Sequence, residues 1–250
     1  TKAGSGTTTL SGSNTYTGRT TISAGVLEIS GTANSDSAIT ISSGADLKFN
    51  TSGSQSYSNT ISGDGSLTKT GSGTITLSGS NTYTGATTIS AGTLKVTGGL
   101  ANTALSVADG ATYGVEVSDE IGSISGEGSI DLASGQTLTA GDSSNTEFSG
   151  VISGEGGFKK VGSGTITFSG TTTHTGTTTI SAGTLKVTSE LSDTTAVTVA
   201  SGATDLSVSA GATFDVDTSV AIGSISGAGS IDIAESVTLS AGDSSDTEFS

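Results

Sequence analysis

The segment at residues 71–96 reads GSGTITLSGSNTYTGATTISAGTLKV, and it recurs in slightly altered form at 4–29 and 162–187. Within the segment, Ile75 and Leu77 alternate with threonines. Alternation of this kind over four or five positions, rich in β-branched residues, predicts half-buried strands. The intervening GSG, SGS and SAG triplets predict tight turns. Because no stretch shows a helical period of 3.6 residues, the sequence predicts an all-β fold.

Two kinds of repeat occupy most of the chain. The motif copies lie at 2–29, 69–96 and 160–187, and related spacer repeats lie at 105–149 and 206–250. Short strands with regular turns would also suit a sandwich or a barrel, but long internal repeats favour a solenoid in which each coil packs only against its neighbours. We therefore predict one continuous β-solenoid over residues 1–250, a single elongated rod with roughly 22 residues per coil.

The composition fits a narrow solenoid. Only 31% of the residues are hydrophobic, 39 are glycine and none is proline. A thin interior needs few aliphatic side chains, threonine and serine suit wet strand faces, and proline cannot donate to a central ladder. The sequence begins and ends within a repeat, since 1–6 resembles 68–73 and 242–250 resembles 141–149. This pattern predicts a segment of a longer repeat array, with any export signal or anchor outside it.

Charge and cysteine content exclude several functions. The formal net charge is −15, with one arginine and seven lysines that are scattered apart from residues 159–160, which disfavours nucleic-acid binding. The absence of cysteine excludes disulfides and thiol chemistry. No apolar run approaches the ~18 residues of a membrane helix. We therefore expect no nucleic-acid partner and no membrane contact.

The repeated motif resembles the passenger-associated transport repeat of bacterial autotransporters, also called the autotransporter-associated β-strand repeat. In the second copy the matching residues are Leu77, Gly79, Asn81, Thr82, Tyr83, Gly85, Thr87, Ile89, Gly92, Thr93 and Leu94. In the first copy they are Leu10, Gly12, Asn14, Thr15, Tyr16, Gly18, Thr20, Ile22, Gly25 and Leu27, with Val26 where the motif prefers threonine. The third copy departs further, with Phe168, Thr172 and His174 in place of leucine, asparagine and tyrosine.

The resemblance implies a right-handed parallel β-helix that forms the exported passenger of an outer-membrane protein. In that family the repeat is thought to assist secretion through a C-terminal β-barrel, and passengers are often adhesins. The fold does not by itself fix an activity.

The only histidine, His174, is the first candidate for chemistry, because a Ser-His-Asp triad or a histidine metal site would have to use it. It stands in the position that Tyr16 and Tyr83 hold in the sister copies. A catalytic group would not be replaced by tyrosine in two repeats out of three, so a structural role is the better interpretation.

Acidic residues form two further candidates. Asp215 and Asp217 lie two apart on a predicted strand and would point outward together, about 7 Å apart, a spacing that suits general acid/base hydrolysis of a polysaccharide. However, Gly114 stands where Asp215 does in the sister repeat, and no tryptophan is present to stack on a sugar. Solvated carboxylates on a strand face are the better interpretation.

The turns AGDSSNTEF and AGDSSDTEF collect oxygen ligands that could hold Ca²⁺. The residues concerned are Asp142, Asn145, Glu147, Asp243, Asp246 and Glu248. Neither the EF-hand spacing nor the calcium β-roll nonapeptide is present. Aspartate turns that bond to their own backbone explain the same residues.

Threonine runs at 7–9, 171–173 and 177–179 raise the hypothesis of ice binding. The runs do not recur at one fixed coil interval, so such a surface would be patchy, and β-propensity and solubility account for the threonines without a further function.

The sequence thus predicts a structural or adhesive segment rather than an enzyme. We assign no catalytic, cofactor-binding or metal-binding residue. The segment would act as a stiff stalk or display surface outside a bacterial cell, aid its own export, and be anchored to the outer membrane by a part not in this chain. Its partners would be a glycan or a host or neighbouring cell surface, with end-to-end self-association through unpaired strand edges. The alternatives are a polysaccharide-acting enzyme and a non-catalytic module for glycan, ice or calcium.

Overall fold

The computed structural model describes residues 1–33, 37–100 and 102–188. Further along it describes 190–193, 197–199, 206–208, 213–216, 220–222, 225–227, 230–233, 235–236 and 238–241. The chain divides into two compact units, Thr1–Ile121 and Gly122–Ser250. No helix occurs among the described residues, so none of them forms a helix that could span a membrane.

The first unit contains fourteen short strands. They are β1 (Thr7–Leu10), β2 (Thr20–Ile22), β3 (Gly25–Ile29), β4 (Ile39–Ile41), β5 (Ala45–Asn50), β6 (Gln55–Tyr57), β7 (Ile61–Gly63), β8 (Ser66–Thr70), β9 (Thr74–Leu77), β10 (Thr87–Ile89), β11 (Gly92–Val96), β12 (Leu105–Val107), β13 (Ala111–Val115) and β14 (Asp119–Ile121). Within this unit the neighbouring strands are ordered β1-β3-β5-β8-β10-β12, β6-β9-β11-β13 and β2-β4-β7.

The described residues of the second unit form seventeen strands. They are β15 (Ile124–Gly126), β16 (Ser129–Leu132), β17 (Thr137–Ala140), β18 (Thr146–Phe148), β19 (Val151–Gly154), β20 (Gly157–Lys160), β21 (Thr165–Phe168), β22 (Thr178–Ile180), β23 (Thr184–Val187), β24 (Glu190–Asp193), β25 (Val197–Val199), β26 (Leu206–Val208), β27 (Thr213–Val216), β28 (Val220–Ile222), β29 (Ile225–Gly227), β30 (Ser230–Ile233) and β31 (Leu239–Ala241). Their orders are β15-β18-β21-β23-β26-β29, β17-β20-β22-β25, β24-β27-β30, β16-β19 and β28-β31.

Every pairing described within a unit is parallel, and each strand pairs with the strand one coil away. Leu47 on β5 pairs with Leu67 on β8, and Leu67 pairs with Thr87 on β10. The offset is 67 − 47 = 20 residues, slightly shorter than the coil expected from the sequence. The prediction of an all-β parallel solenoid is confirmed. The right-handed sense and the single continuous rod stay predictions.

The core of each unit consists of side chains stacked in rows, one from each coil. One row in the first unit runs Leu27, Leu47, Leu67, Thr87, Leu105, and the next runs Ile29, Phe49, Lys69, Ile89, Val107. Every member of both rows is buried. A fully buried leucine stabilises a fold by about 2 kcal/mol. The expectation that threonine lies on the wet strand faces is therefore wrong at Thr87, and a lysine, Lys69, also lies inside.

Glycine is required where the coil turns most sharply. Gly92, the first residue of β11, has a φ of 67°, and a methyl group on its Cα would lie 2.4 Å from the carbonyl oxygen of Gly71 on the coil below. Side chains rarely adopt this left-handed conformation, and the space is also occupied. Gly25 and Gly183 repeat the arrangement in the other motif copies, with φ values of 68° and 64°.

A series of glycine-to-alanine variants separates these two effects. Gly92→Ala should lower the free energy of unfolding by clearly more than the about 1 kcal/mol expected for Gly110→Ala, which has a φ of 73° but open space around it. Gly18→Ala has neither constraint and should be neutral. Urea unfolding of the three variants measures the order, and equal midpoints for the Gly92 and Gly110 variants would show that the close approach is not limiting.

Candidate functional site: the lysine corner

A buried lysine begins each motif copy. Lys69 and Lys160 are 0% exposed and Lys2 is 8% exposed. Lys69 lies on β8 between Phe49 and Ile89 of the adjacent coils, in a row that is otherwise apolar. A buried ammonium group without partners would be strongly unfavourable, so its surroundings decide whether the coil can form.

Three backbone carbonyl groups accept hydrogen bonds from each ammonium. Lys69 Nζ donates to Thr70 O at 2.8 Å and Gly71 O at 2.7 Å in the turn that follows it, and to Ala91 O at 3.1 Å on the next coil. An ammonium carries three donors and no acceptor, so the group is fully satisfied. We call this arrangement, with the following Gly92, the lysine corner.

The other two copies build the same corner. Lys160 Nζ donates to Val161 O, Gly162 O and Ala182 O at 2.6, 2.9 and 3.2 Å. Lys2 Nζ donates to Gly4 O at 2.6 Å and Ala24 O at 2.9 Å, with a longer contact of 3.4 Å to Ala3 O. In each copy one acceptor comes from the next coil, 22 residues further along.

Positive φ angles shape the corner on both coils. The glycine two residues after each lysine has a φ of 85°, 74° or 68° at Gly4, Gly71 and Gly162. Its left-handed conformation bends the chain at the point where its carbonyl oxygen meets the ammonium group. Removal from water lowers the pKa of Lys69 and of Lys160 from the ordinary value, although Asp142 raises that of Lys160. Three aligned carbonyl dipoles favour the charged form against this effect.

An aromatic side chain and a threonine form a second repeated contact. Tyr83 Oη lies 2.6 Å from Thr87 Oγ1, and both residues are 0% exposed. Thr87 occupies an inward leucine row, so its hydroxyl group needs a buried partner. His174 Nε2 lies 2.8 Å from Thr178 Oγ1 in the third copy, and it is also fully buried. The structure therefore places His174 in a packing position away from solvent.

The first copy has the same contact in a more open form, with 3.1 Å between Tyr16 Oη and Thr20 Oγ1 and with Tyr16 40% exposed.

A buried carboxyl group, which the sequence analysis did not single out, closes the end of the first unit. Asp119 is 6% exposed, accepts a hydrogen bond from the Tyr113 hydroxyl group through Oδ2, and accepts the N–H of Leu100 at 2.8 Å through Oδ1. In the second spacer repeat the corresponding residues are Phe214 and Val220. The second spacer repeat thus lacks both the Tyr113 hydroxyl group and the Asp119 carboxyl group. This joint replacement was the sequence signal that could have indicated a contact between the two side chains.

The proposed calcium ligands of the first turn bond to the protein itself. Asp142 Oδ1 accepts the N–H of Ser144 at 2.6 Å, Asn145 Oδ1 accepts the N–H of Thr165 at 2.8 Å, and Glu147 Oε1 accepts the Ser169 hydroxyl group at 2.5 Å. The last two bonds join neighbouring coils. No cluster of three acidic or histidine side chains suited to a metal was found among the described residues.

The remaining candidates are the aspartate pair, the second AGDSSDTEF turn and the threonine runs. Asp215 lies on β27, paired with Ser192 and Asp232. Asp217, Asp243, Asp246 and Glu248 lie outside the described residues. The threonine run at 7–9 forms most of the exposed β1, whereas Thr172 and Thr178 in the other two runs are buried. Among the residues that the structure describes, these candidates do not form one cluster.

These contacts define a class of protein: a parallel β-solenoid whose coils are joined in pairs by buried lysines. Comparison with protein families identifies the same three repeats. The passenger-associated-transport-repeat model matches residues 1–29, 67–96 and 158–187. Each matched segment contains one complete lysine corner. The chain thus carries three copies of this repeat, which is typical of autotransporter passenger domains, and such passengers are secreted or surface-exposed. No curated protein and no solved structure matches the chain.

Replacing the lysine of one corner tests its contribution. Lys69→Met keeps the length of the side chain but leaves three carbonyl groups without their donor, and each buried acceptor left unsatisfied costs about 1–3 kcal/mol. We expect the free energy of unfolding to fall by about 3 kcal/mol or more in urea titrations. Lys48→Met is the matched control on the solvent side, where Lys48 pairs with Glu28 at 2.9 Å, and it should change stability by at most about 1 kcal/mol. Equal losses in the two variants would contradict the account.

A double-mutant cycle tests the Tyr113–Asp119 pair. Tyr113→Phe and Asp119→Val should each destabilise the protein by about 2 kcal/mol, because each leaves a buried polar partner. The double variant copies Phe214 and Val220, so it should lose less than the sum, with a coupling of about 1–3 kcal/mol. Additive losses in thermal unfolding would show that the hydroxyl and carboxyl groups act independently.

The same pair predicts a pH dependence. Burial raises the pKa of Asp119 above its ordinary 3.8, and hydrogen bonds from Tyr113 and the N–H groups of Leu100 and Glu120 offset part of the effect. The folded state then holds this proton more tightly than the unfolded state. Its stabilising contribution is present below pH 3.8 and is lost as pH rises through the folded-state pKa. The stability of Asp119→Asn relative to the wild type should therefore improve between about pH 4 and about pH 7, and a relative stability that falls over this interval would contradict the raised pKa.

Proposed function

We propose that the chain is a non-catalytic structural and adhesive segment of an autotransporter passenger. Its coils form a stiff stalk or display surface, and its repeats aid export by locking neighbouring coils as they fold outside the cell. The observation that carries the proposal is the lysine corner, which occurs once within each of the three family repeats.

The corner supports a coil-by-coil order of folding. Lys69 finds two of its acceptors in the turn next to it, but the third, Ala91 O, belongs to a coil that closes later in chain order. Until that coil is in place, the ammonium group must remain hydrated. Burial of the lysine and closure of the next coil therefore accompany each other, and a repeat folds as a pair of coils rather than as one.

The polar residues that could have served catalysis or metal binding form hydrogen bonds within the fold instead, which supports a non-catalytic role. His174 is buried against Thr178, and Asn145 and Glu147 join neighbouring coils. Each of these groups already contributes to the stack in a manner that explains its presence. We further propose that anchoring to the outer membrane is supplied by a part of the protein outside these 250 residues.

Export and folding can be tested with the same variants. Lys69→Met with Lys160→Met should lower both the refolding yield of the purified chain and the amount of protease-resistant passenger in cells that secrete it. The control, Lys48→Met with Lys186→Met, changes two lysines that are not buried and should leave both quantities unchanged. If the variant with both lysines replaced were exported in the same amount as the unaltered protein and were equally protease-resistant, a role for the corner in export would be contradicted.

We also propose weak end-to-end association between copies. Within the first unit, β1 pairs with β3 along one edge, its residues Thr7–Leu10 are largely exposed, and the adjacent hollow of about 470 Å³ is lined in part by Leu10, Tyr16 and Leu27. Unpaired edges beside apolar side chains promote strand addition. Sedimentation velocity should show species larger than the monomer as concentration rises, and a strict monomer at the highest soluble concentration would contradict this proposal.

A further inference from the structure

A polar groove of about 420 Å³ crosses three successive coils of the second unit. Glycines from neighbouring turns make its floor, where Gly156 and Gly157 are buried and Gly176 N donates to Gly156 O at 3.2 Å. The walls carry only polar side chains, principally Gln136, Thr137, Glu155, Lys159, Thr177 and Thr179.

One residue of an outward row, Gly157, carries no side chain, and a methyl group on its Cα would lie 2.7 Å from the carbonyl oxygen of Thr177 on the coil above. Gly157 pairs with Thr137 on the coil below, and the N–H of the next residue, Phe158, donates to Thr177 O on the coil above. Lys159, two residues on, lies in the neighbouring outward row between Thr139 and Thr179. The row thus has the hydroxyl groups of Thr137 and Thr177 on either side of the buried Gly157, with the Lys159 ammonium group in the next row.

The second motif copy fills the same position. There Ser66 and Thr68 correspond to Gly157 and Lys159, and both hydroxyl groups donate to Asp46 Oδ1, at 2.7 and 3.0 Å. The polar side chains at this position of the second copy therefore already bond to one another. In the groove, by contrast, neither ion pair found among the described residues involves Lys159 or Glu155.

We propose that this groove binds a neutral oligosaccharide, with one sugar unit over Gly157. The proposal rests on the display role given above and deepens it. The walls offer hydroxyl, carboxamide, ammonium and carboxylate groups in alternation, which suits a ligand with many hydroxyl groups and little apolar surface. Glu155 and the net charge of −15 disfavour an anionic sugar. Lys159 donates to sugar oxygens, and Glu155 accepts from sugar hydroxyl groups.

The direct test is an NMR titration of the ¹⁵N-labelled chain with three separate probes: maltotriose, mannotriose and trigalacturonate. At least one neutral trisaccharide should shift the amide signals of residues 156, 157 and 177, with a Kd of about 1 mM. Trigalacturonate should bind at least about tenfold more weakly because of charge repulsion. Absence of shifts with both neutral sugars at about 10 mM, or tighter binding of trigalacturonate, would overturn the proposal.

Matched variants locate the site and separate it from the stalk role. Lys159→Thr and Gly157→Ser install the residues of the second copy and should each weaken binding at least about tenfold. Lys186→Thr removes an exposed lysine of the same unit outside the groove and should leave the Kd unchanged. All three variants are compared by thermal unfolding, and Lys159→Thr remains decisive if Gly157→Ser does not fold. Undiminished binding by a folded Lys159→Thr would overturn the groove assignment while leaving the structural function and its export test intact.

Discussion

The corners of a parallel solenoid present carbonyl oxygens for which the strand ladders supply no donor. Within the straight segments each strand donates to and accepts from the coils beside it, but at a tight turn the peptide planes rotate away from that register. At three corners of this protein a buried lysine supplies the missing donors. Its ammonium group donates to two carbonyl groups of its own turn and to one of the next coil. Because the third bond crosses between coils, the same interaction that satisfies the turn also holds the stack together.

A second constraint follows from the narrow interior. Few aliphatic side chains are available, so polar residues occupy inward rows wherever a neighbouring group can satisfy them. Thr87 lies between leucines because Tyr83 reaches its hydroxyl group. Thr178 is paired with Phe158 in the same way, and His174 takes the position of the tyrosine beside it. Polar interior groups of this kind specify register more strictly than leucine does, since a coil that slips by one residue loses its hydrogen-bond partners.

The sequence was sufficient for the fold because its strongest signals are local. Alternation such as Ile75–Thr76–Leu77 and the turn triplets predict short strands and sharp turns, and the long repeats predict stacking. The substitution of His174 for Tyr16 and Tyr83 also predicted a packing role. What could not be derived was the burial of Lys2, Lys69 and Lys160, because composition assigns lysine to solvent and only the coil register brings residues 22 apart together. The signal was nevertheless present, since glycine follows each lysine at the second position and an Ala-Gly pair at the twenty-second and twenty-third.

The outer surface depends on coil register in the same way. Pairings between residues 20 apart decide whether a surface group finds a partner on the coil below. The Thr68 hydroxyl group bonds to Asp46, whereas Lys159, beside Gly157, forms no ion pair among the described residues. Substitutions between repeats can therefore change which surface groups bond to the neighbouring coil, and a passenger built from such repeats can vary its surface while keeping its stack.

The most direct test of the lysine corner is ¹⁵N NMR of the lysine ammonium groups in the full chain near neutral pH. The account predicts that three of the seven lysines, Lys2, Lys69 and Lys160, give charged ammonium signals whose protons exchange slowly with water and show contacts to the turn residues beside them. Rapid exchange at all seven ammonium groups would mean that these side chains lie in solvent, and the corner would not exist.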